Sequence, residues 1–393
     1  MPYTPPTVNY SAALDGTYTT LTGVQSVSIT RGRQRFQDPF PQSNCVIELI
    51  PANSYATALA IGQYIDVRTS NSGAATCYFE GRITDVERVY GMPYNSGTGG
   101  APADRIVITA TGATGSLGAT QLVNYTVPTQ SVYDSMTDIN TQAKATTQVD
   151  PNFSYSIFNN SYTVNNSALD TQNTLLRTAV GYMDDMGMYR TAIASVPPTY
   201  QGIYLYDTSA TTFLQTNISF SDDNTATYKF NNLAYLSSVQ NTFSQVTVSL
   251  QGLASQTANS GTPPYNSLIY DAASNTTANG LSLATYLYSL LSGQLTAVPY
   301  VISTDTNLSA SCVDVLKVRP RSVGGVTDRQ IAIGATASVK FRGLTAYGIV
   351  QGFTGNFYTD HANIQLYFSP GSVGFTLDST AFGVLDTNRL GYP

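Results

Sequence analysis

The sequence predicts a mainly β protein with α+β inserts, in which two strand-rich ends flank a helix-containing middle region. Two observations predict this fold class. Near both ends of the chain, apolar residues alternate with polar ones over short segments, which is typical of strands. Between those ends, apolar residues recur at helical spacing in three segments. The chain has 393 residues, of which 42% are hydrophobic, so it is long enough for two or three domains with sizeable cores.

The first part of the chain is predicted to contain successive strands. Val27 and Ile29 alternate with serine and threonine, and the prolines at 39 and 41 separate this segment from the next. Further strands are predicted at 45–50, 62–68, 77–86 and 105–110. The glycine-rich run at 91–102 is predicted to be a loop. Several antiparallel strands in a stretch of this length favour a small barrel or sandwich.

Two capping signals open the predicted helices of the middle region. Ser131 precedes Asp134 by three residues, and Ser167 precedes Asp170 by the same spacing, as in a capping box with aspartate in the acidic position. Apolar residues on one face predict a first helix to about residue 143. The second helix is predicted to continue through residue 183 and to end before Gly187.

Strands, a linker and a third helix are predicted next. The strands lie at 202–206, 225–236 and 243–250, and the small polar residues of 254–279 predict a loop. Leucines at helical spacing predict a helix that begins near Leu281 and ends at Gly293. Later strands are predicted at 300–303, 313–319, 330–333, 337–342, 345–354 and 362–368, before an extended tail. The predicted divisions of the chain are 1–122, 123–210, 211–299, 300–370 and 371–393.

The composition excludes several classes of protein. Charged residues make up 11% of the chain, against about 25% in a typical globular protein, and Ser, Thr, Asn and Gln make up about a third of it. A net charge of −6 and a pI near 4.7 exclude a polybasic nucleic-acid binder, and the low charge excludes a coiled coil with charged heptads. The 28 tyrosines suit protein interfaces, since each has an apolar body and a polar tip. Together these features favour a β-rich assembly protein.

The cysteines and the hydropathy pattern indicate where the chain resides. Cys45, Cys77 and Cys312 have no metal-ligand spacing and are predicted to be buried free thiols. The chain starts without a basic and apolar leader, so no signal peptide is expected. No run of about 18 apolar residues occurs, so no membrane span is expected. Synthesis in a cytosol is therefore expected.

No catalytic constellation is recognisable, so the protein is predicted not to be an enzyme and to need no cofactor or metal. Asp184 and Asp185 could form a carboxylate pair, but the favoured interpretation places them at a helix end facing water. Asp222 and its acidic neighbour are predicted to lie in a turn or helix cap. His361, the one histidine, is predicted to lie in a turn between two strands, hydrogen-bonded or solvated.

Three arginines are the candidate interface residues. Arg31, Arg33 and Arg35 are spaced by two, so one face of an extended strand would carry three guanidinium groups. A phosphate-binding stripe is one interpretation, because the arginine fork suits phosphate. The favoured interpretation is that the forks pair with carboxylates across a subunit interface.

Several short motifs, in a shared order, resemble a known family. The motifs in the first part are VSITRGRQ (27–34), VIELI (46–50), IGQYIDVR (61–68) and FEGRITDV (79–86). Those in the later part are the helix at 129–143, NTFSQVTV (241–248), GLSLATYL (280–287), VQGFT (350–354) and ANIQLYFS (362–369). Together they resemble the tail hub or minor tail proteins of tailed bacteriophages. The resemblance covers most of the chain, from about Thr22 to Pro370.

The resemblance implies a baseplate-hub-like fold, with two tail-tube-like β-barrels at 1–122 and 300–370 and a helix-bearing region between them. It implies a homotrimer whose six barrels dock under a sixfold tail tube or distal tail protein, with a spike, fibre or tape-measure protein on the threefold side. It further implies a position at the tail tip of the virion, after assembly in the host cytoplasm. DNA would pass through the lumen without specific binding.

Two other functions remain open at the level of sequence. One is a receptor-binding tail protein that contacts the host envelope through tyrosine-rich loops. The other is a tail-tip polysaccharide depolymerase or esterase. Against an adhesin, the tube-like motifs occur at both ends of the chain rather than leaving one terminal domain for specificity. Against a depolymerase, the sequence shows neither a repeat-built solenoid nor a close carboxylate pair.

Overall fold

The structure is a computed structural model, and mainly β architecture is confirmed. It describes residues 3–14, 16–50, 59–68, 77–90, 105–145, 147–149, 157–185, 203–206, 218–222, 228–236, 243–260, 266–292, 298–306, 333–342 and 344–370.

The strands, in chain order, are β1 (Thr7–Ser11), β2 (Thr19–Thr20), β3 (Val24–Gly32), β4 (Asn44–Leu49), β5 (Tyr64–Arg68), β6 (Cys77–Val89), β7 (Arg105–Thr111), β8 (Tyr125–Val127), β9 (Thr147–Val149), β10 (Tyr162–Val164), β11 (Tyr182–Asp185), β12 (Ile203–Tyr206), β13 (Ile218–Ser221), β14 (Tyr228–Lys229), β15 (Asn232–Leu236), β16 (Gln245–Leu250), β17 (Gln256–Asn259), β18 (Ser267–Ala272), β19 (Val298–Asp305), β20 (Thr336–Phe341), β21 (Leu344–Tyr358) and β22 (Ala362–Pro370). The helices are α1 (Thr114–Ala119), α2 (Val132–Ala143), α3 (Ala168–Thr178) and α4 (Thr277–Ser292).

One large mixed sheet contains strands from both ends of the chain. Its N-terminal strands lie in the order β3-β4-β7-β6-β5-β1-β2, and every neighbouring pair is antiparallel. Its C-terminal strands are β13, β14, β15, β19, β20, β21 and β22. The long strand β21 pairs with β20, β22 and β3, so it belongs to both sets. The two strand-rich ends therefore form one continuous sheet.

Alternation along these strands fixes which side faces the core. In β3, Val27 and Ile29 are buried, whereas Ser28 between them and Thr30 after them are half-buried. The same period of two places Cys45 and Ile47 of β4 on the buried side. Within the described residues, the strand pairings do not close either set into a barrel. The two-barrel arrangement therefore stays a prediction.

The middle region begins with the two capped helices that the sequence predicts. The side chain of Ser131 accepts a hydrogen bond from the backbone N–H of Asp134 at 3.1 Å, and Ser167 and Asp170 repeat that geometry. The two serine N-caps are confirmed, and in each the aspartate carboxylate accepts from the serine hydroxyl at 2.6 Å. Helices α2 and α3 pack together, with the Gln172 side-chain amide donating to the Met136 carbonyl at 2.8 Å.

The second helix is shorter than predicted. It ends at Thr178, and Val180 adopts a left-handed conformation with φ of 54°. The chain then enters strand β11, whose neighbour β12 pairs in turn with β9. The prediction that the helix continues through residue 183 was wrong, because the helix ends at Thr178 and Met183 lies in the buried strand β11.

A small α/β unit, which comprises residues 243–260 and 266–292, replaces most of the predicted linker. Strands β17, β16 and β18 form a three-stranded sheet, and α4 packs on one side of it. The prediction of a loop over 254–279 was wrong. Tyr270 and Ala272 alternate into the core under α4, where they meet Leu283 and Leu287. Strand β17 consists mostly of weak strand formers and is stabilised by its pairing with β16, whereas β18 carries Ile269 and Tyr270, which favour strands.

Four residues with individual predictions lie in or directly beside strands of the large sheet. Cys45 is a buried free thiol, as predicted, and burial raises its pKa. Cys77 is half-buried, and its thiol donates to the backbone carbonyl of Phe79 at 3.2 Å. His361 lies in the turn between β21 and β22, with its Nδ1 2.7 Å from Asp360 Oδ1. Asp222 lies in a bend and accepts from the backbone N–H of Arg342 at 3.0 Å.

Other predictions fall on residues outside the described part of the chain. These are Cys312, Gly187, Gly293, the loop at 91–102, the strand at 313–319, most of the strand at 330–333 and the tail at 371–393. Among the helices of the described ranges, none has the length and apolar character that a membrane crossing requires.

Candidate functional site

The three predicted interface arginines do not share a strand face. Strand β3 ends at Gly32, whose φ is 76°, so Arg31 lies in the strand while Arg33 and Arg35 follow it. A methyl group on Gly32 would lie within 3 Å of the carbonyl oxygen of Gln351. The backbone of β21 therefore approaches β3 so closely here that glycine is required, and the chain turns. The predicted row of three guanidinium groups was wrong for this reason.

Arg31 is buried beneath the sheet, with 3% of its surface exposed. Its guanidinium lies over the ring of Phe353, 4.4 Å from the centroid. Its Nη1 donates to the backbone carbonyl of Asp185 at 2.9 Å. Arg31 thus ties β3 to β21 and to β11 of the middle region.

Arg33 occupies an aromatic pocket and is 4% exposed. Its guanidinium carbon lies 4.3 Å from the ring centroid of Phe40 and 4.9 Å from that of Phe36. Its Nε donates to Gln351 Oε1 at 2.8 Å, and its Nη1 donates to the carbonyl of Asp38 at 3.2 Å. Burial lowers the pKa of Arg33. Stacking on ring faces and two hydrogen bonds replace the water that this cation has lost.

Gln351 sits at a bulge in β21, where the register shifts between Val350 and Gly352. Its carbonyl accepts from the backbone N–H of Arg33 at 2.9 Å. Its side chain accepts from Arg33 with Oε1 and donates with Nε2 to Ser369 Oγ of β22 at 2.8 Å. Sequence reasoning placed this residue in a motif but assigned it no role. The glycine that follows it, Gly352, was the available signal, because a glycine inside a strand often marks a bulge.

Arg35 differs from the other two arginines, because 45% of its side chain is exposed. It forms a two-pronged ion pair with Asp38, with both nitrogen–oxygen distances 3.0 Å. Exposed pairs of this kind contribute about 0.2–1 kcal/mol. The pairing of these arginines with carboxylates of another subunit stays a prediction, and Arg35 is the member of the set with accessible surface to make it.

Asp184 and Asp185 are buried in β11, with 1% and 4% of their surface exposed. The prediction that they face water at a helix end was wrong. Asp185 Oδ2 accepts from both the backbone N–H and the Oγ1 of Thr114, at 3.0 and 2.9 Å. These bonds fix the start of α1 against β11. Over the described ranges, no three side chains of the types that ligate metals are grouped together.

The linking segment, residues 33–43, joins β3 to β4 and lies against α3. Asn173 of α3 binds both backbone groups of Phe40: its Oδ1 accepts from the N–H at 2.8 Å and its Nδ2 donates to the carbonyl at 3.0 Å. All these groups are buried. Asn173 therefore acts as a backbone partner that a helix supplies to an irregular segment.

Replacing Asn173 by alanine is expected to lower the free energy of unfolding by about 2–3 kcal/mol, because two buried backbone groups lose their partners. Thr174→Ala, one residue along the same helix but on its exposed side, is the matched control and is expected to change it by less than about 0.5 kcal/mol. Chemical denaturation measures both. Equal effects of the two substitutions would contradict the assigned role.

The outward side of the large sheet carries an uncharged patch, here termed the polar face. Its eight positions are half-buried and occupy neighbouring positions on β4, β3, β21 and β22: Asn44, Val46, Ser28, Thr30, Thr354, Asn356, Asn363 and Gln365. The hydroxyls of Thr30 and Thr354 lie 3.5 Å apart across the pairing of β3 with β21. Charged residues come at the borders of the patch, with Asp305 opposite Asn363. The polar face is thus built jointly by both ends of the chain.

No protein-family model and no curated protein sequence matches this chain. Solved structures do share its fold. The 43 kDa tail protein of prophage MuSo2 from Shewanella oneidensis is 12% identical, with a TM-score of 0.54 over 92% of this chain and 97% of that chain. The tail protein of Neisseria meningitidis MC58 is 10% identical, with a TM-score of 0.57 over 94% and 97%.

A third similar structure comes from a secretion machine. The c3393 protein of E. coli is a component of the type VI secretion system, described as structurally similar to bacteriophage T4 tail proteins. It is 11% identical, with a TM-score of 0.51 over 93% of this chain and 77% of that chain. The chain therefore has the fold of phage tail proteins, as the resemblance of its motifs implies.

Proposed function

We propose that this protein is a structural tail hub of a bacteriophage virion, at the distal end of the tail tube, where it lines the DNA channel. The observation that carries the proposal is the polar face: a broad uncharged surface on the shared sheet of a phage-tail fold. A structural role in a tail is supported by the similar structures, which are tail proteins.

The chemistry of the polar face suits a conduit for DNA. Lysine and arginine bind phosphates and release counterions, so cations on the wall would retain the nucleic acid. The polar face offers serine, threonine, asparagine and glutamine instead, with Val46 as its one apolar position. The net charge of −6 adds weak repulsion. DNA would therefore slide past this surface without specific binding.

The proposed assembly is a homotrimer, in which residues 1–122 and 300–370 are the two tube-like units of each chain. Three copies would present six such units to a sixfold tail tube or distal tail protein and a threefold side to a spike, fibre or tape-measure protein. The pairing of β3 with β21 supports this arrangement, because it holds the two units of one chain in a single sheet. The proposed location is the tail tip of the virion, after assembly in the host cytoplasm, and the proposed role is not enzymatic.

The copy number and position of the protein in intact tails test this function. A cryo-EM map of the tail tip is expected to show three copies coaxial with the tube, with the polar face towards the lumen. A peripheral position in higher copy number would overturn the proposal and favour a receptor-binding protein. Turnover of host polysaccharide that Asp184→Asn or Asp185→Asn abolishes would instead establish an enzyme.

A positive charge on the polar face is expected to make the conduit bind DNA. For the purified assembly carrying Thr30→Lys and Asn356→Lys, affinity for duplex DNA is expected to rise at least about tenfold at low salt and to fall steeply as salt is added. Filter binding or fluorescence anisotropy measures this. The protein carrying Ser282→Lys and Thr285→Lys, both on the exposed side of α4, adds the same two charges and is the matched control. Equal gains in both proteins would mean that charge acts without regard to position, which contradicts a channel lined by the polar face.

A further inference from the structure

The linking segment begins with a bond to the C-terminal strands. Arg33 binds Gln351 of β21 through both its backbone N–H and its Nε, and Gln351 binds Ser369 of β22. These groups are buried, so no water is at hand to replace a lost partner. A shift of β21 or β22 at this point must therefore move Arg33 or leave its buried Nε without an acceptor.

Two aromatic side chains of the linking segment pack into two different hydrophobic cores. Phe36 belongs to the core of the small α/β unit, with Phe243 and Leu287, whereas Phe40 belongs to the core under the large sheet. The guanidinium of Arg33 lies over both rings, at 4.9 and 4.3 Å from their centroids. One buried cation thus connects the packing of the two cores.

Helix α3 provides a second route from the segment to the small α/β unit. Arg177 Nη2 donates to the carbonyl of Gln37 in the segment, and its guanidinium lies 4.8 Å from the ring centroid of Tyr270 in β18. One residue further along α3, Thr178 Oγ1 accepts from the backbone N–H of Ala273 at 2.8 Å. The segment, α3 and β18 are therefore joined by buried, directional contacts.

We propose that the linking segment is a mechanical coupler, which passes a displacement of β21 and β22 to the small α/β unit. Hydrogen bonds and cation–ring contacts depend steeply on geometry, so the linked groups move together or break at a cost. The coupling is a property of the single chain and goes beyond the proposed hub function, since it requires neither a trimer nor DNA.

Hydrogen exchange in the purified protein tests the coupling from the sheet side. Gln351→Leu removes both the acceptor of Arg33 Nε and the donor to Ser369 Oγ, and it leaves an apolar side chain one atom shorter. Amide exchange in α4, residues 277–292, is expected to quicken at least about tenfold relative to amides of the remote strands β5 and β6, which report any global loss of stability. Thr354→Val, on β21 but on the polar face, is the matched control. It is expected to leave the ratio of the α4 exchange rate to the β5 and β6 exchange rates unchanged.

Coupling free energies are reciprocal, so a perturbation of the small α/β unit must also affect the C-terminal strands. Phe36→Leu loosens the contact in the small α/β unit, and amides of β22 are expected to exchange faster relative to those of β5 and β6. Two outcomes would overturn the coupler: an unchanged α4 ratio in Gln351→Leu, or an effect seen in one direction only. If Gln351→Leu fails to fold, Ser369→Ala, which removes only the outer bond of the relay, replaces it with the same expected direction.

Discussion

The Arg33→Ala protein is expected to lose about 3–5 kcal/mol in its free energy of unfolding, one of the largest effects of any single substitution in this chain. The substitution leaves Gln351 Oε1 without its buried donor and opens a cavity between Phe36 and Phe40. It also removes the stem that packs between the two cores. Urea denaturation followed by circular dichroism measures the loss.

Two further substitutions separate the causes of the stability loss in Arg33→Ala. Arg33→Lys keeps the charge but loses the planar group that stacks on the rings, so it is expected to recover less than half of the loss. Arg35→Ala removes an exposed ion pair at a neighbouring position and is expected to cost less than about 1 kcal/mol. A loss below about 1 kcal/mol for Arg33→Ala would show that the aromatic pocket contributes little to stability.

Assembly is a separate readout for the same arginines. We predict that Arg31→Ala or Arg33→Ala weakens trimer or ring formation, either directly or by loosening the fold beneath the interface. Arg35→Ala distinguishes a direct effect on the interface from an effect through the fold, because the fold of this variant is expected to stay intact. Native mass spectrometry on folded samples measures the oligomer, and unchanged assembly in all three variants would refute an interface role for this set.

The features that sequence reasoning could place are local. Ser131 and Ser167 mark helix starts because a serine N-cap bonds to a backbone N–H only three residues further along the chain. Val27 and Ile29 mark a strand because burial on one side imposes a period of two. The short motifs, in their order, pointed to the phage-tail fold that the solved structures share.

The features that sequence reasoning missed depend on distant partners. Strand β18 forms because β16 pairs with it and α3 packs against it, although its surroundings read as a polar linker. Asp185 is buried because Thr114, 71 residues away, donates two hydrogen bonds to it. Thr30 and Thr354 meet across 324 residues of chain. Local patterns hold no information on such contacts, and for this reason the site around Arg33 could not be assembled from spacing alone.

Gly32→Ala is expected to lower the free energy of unfolding by more than about 3 kcal/mol, because two penalties add. The left-handed backbone at φ of 76° disfavours any side chain by about 1–2 kcal/mol. The added methyl group would also lie within 3 Å of the Gln351 carbonyl and 2.7 Å from Gly352 Cα, both of them backbone atoms of β21. Backbone cannot rotate away as a side chain can, so the two strands must separate.

Gly62→Ala is the matched control for this substitution. Gly62 has a φ of 90°, but nothing lies within 4 Å of the position that a methyl group would take. Gly62→Ala is expected to lower the free energy of unfolding by only about 1 kcal/mol, because only the penalty of the left-handed backbone applies there. The difference between the two variants, measured by chemical denaturation, isolates the close approach of β3 to β21. Equal losses would mean that the strands can part there at little cost. The polar face would then be two surfaces that move independently rather than one continuous wall.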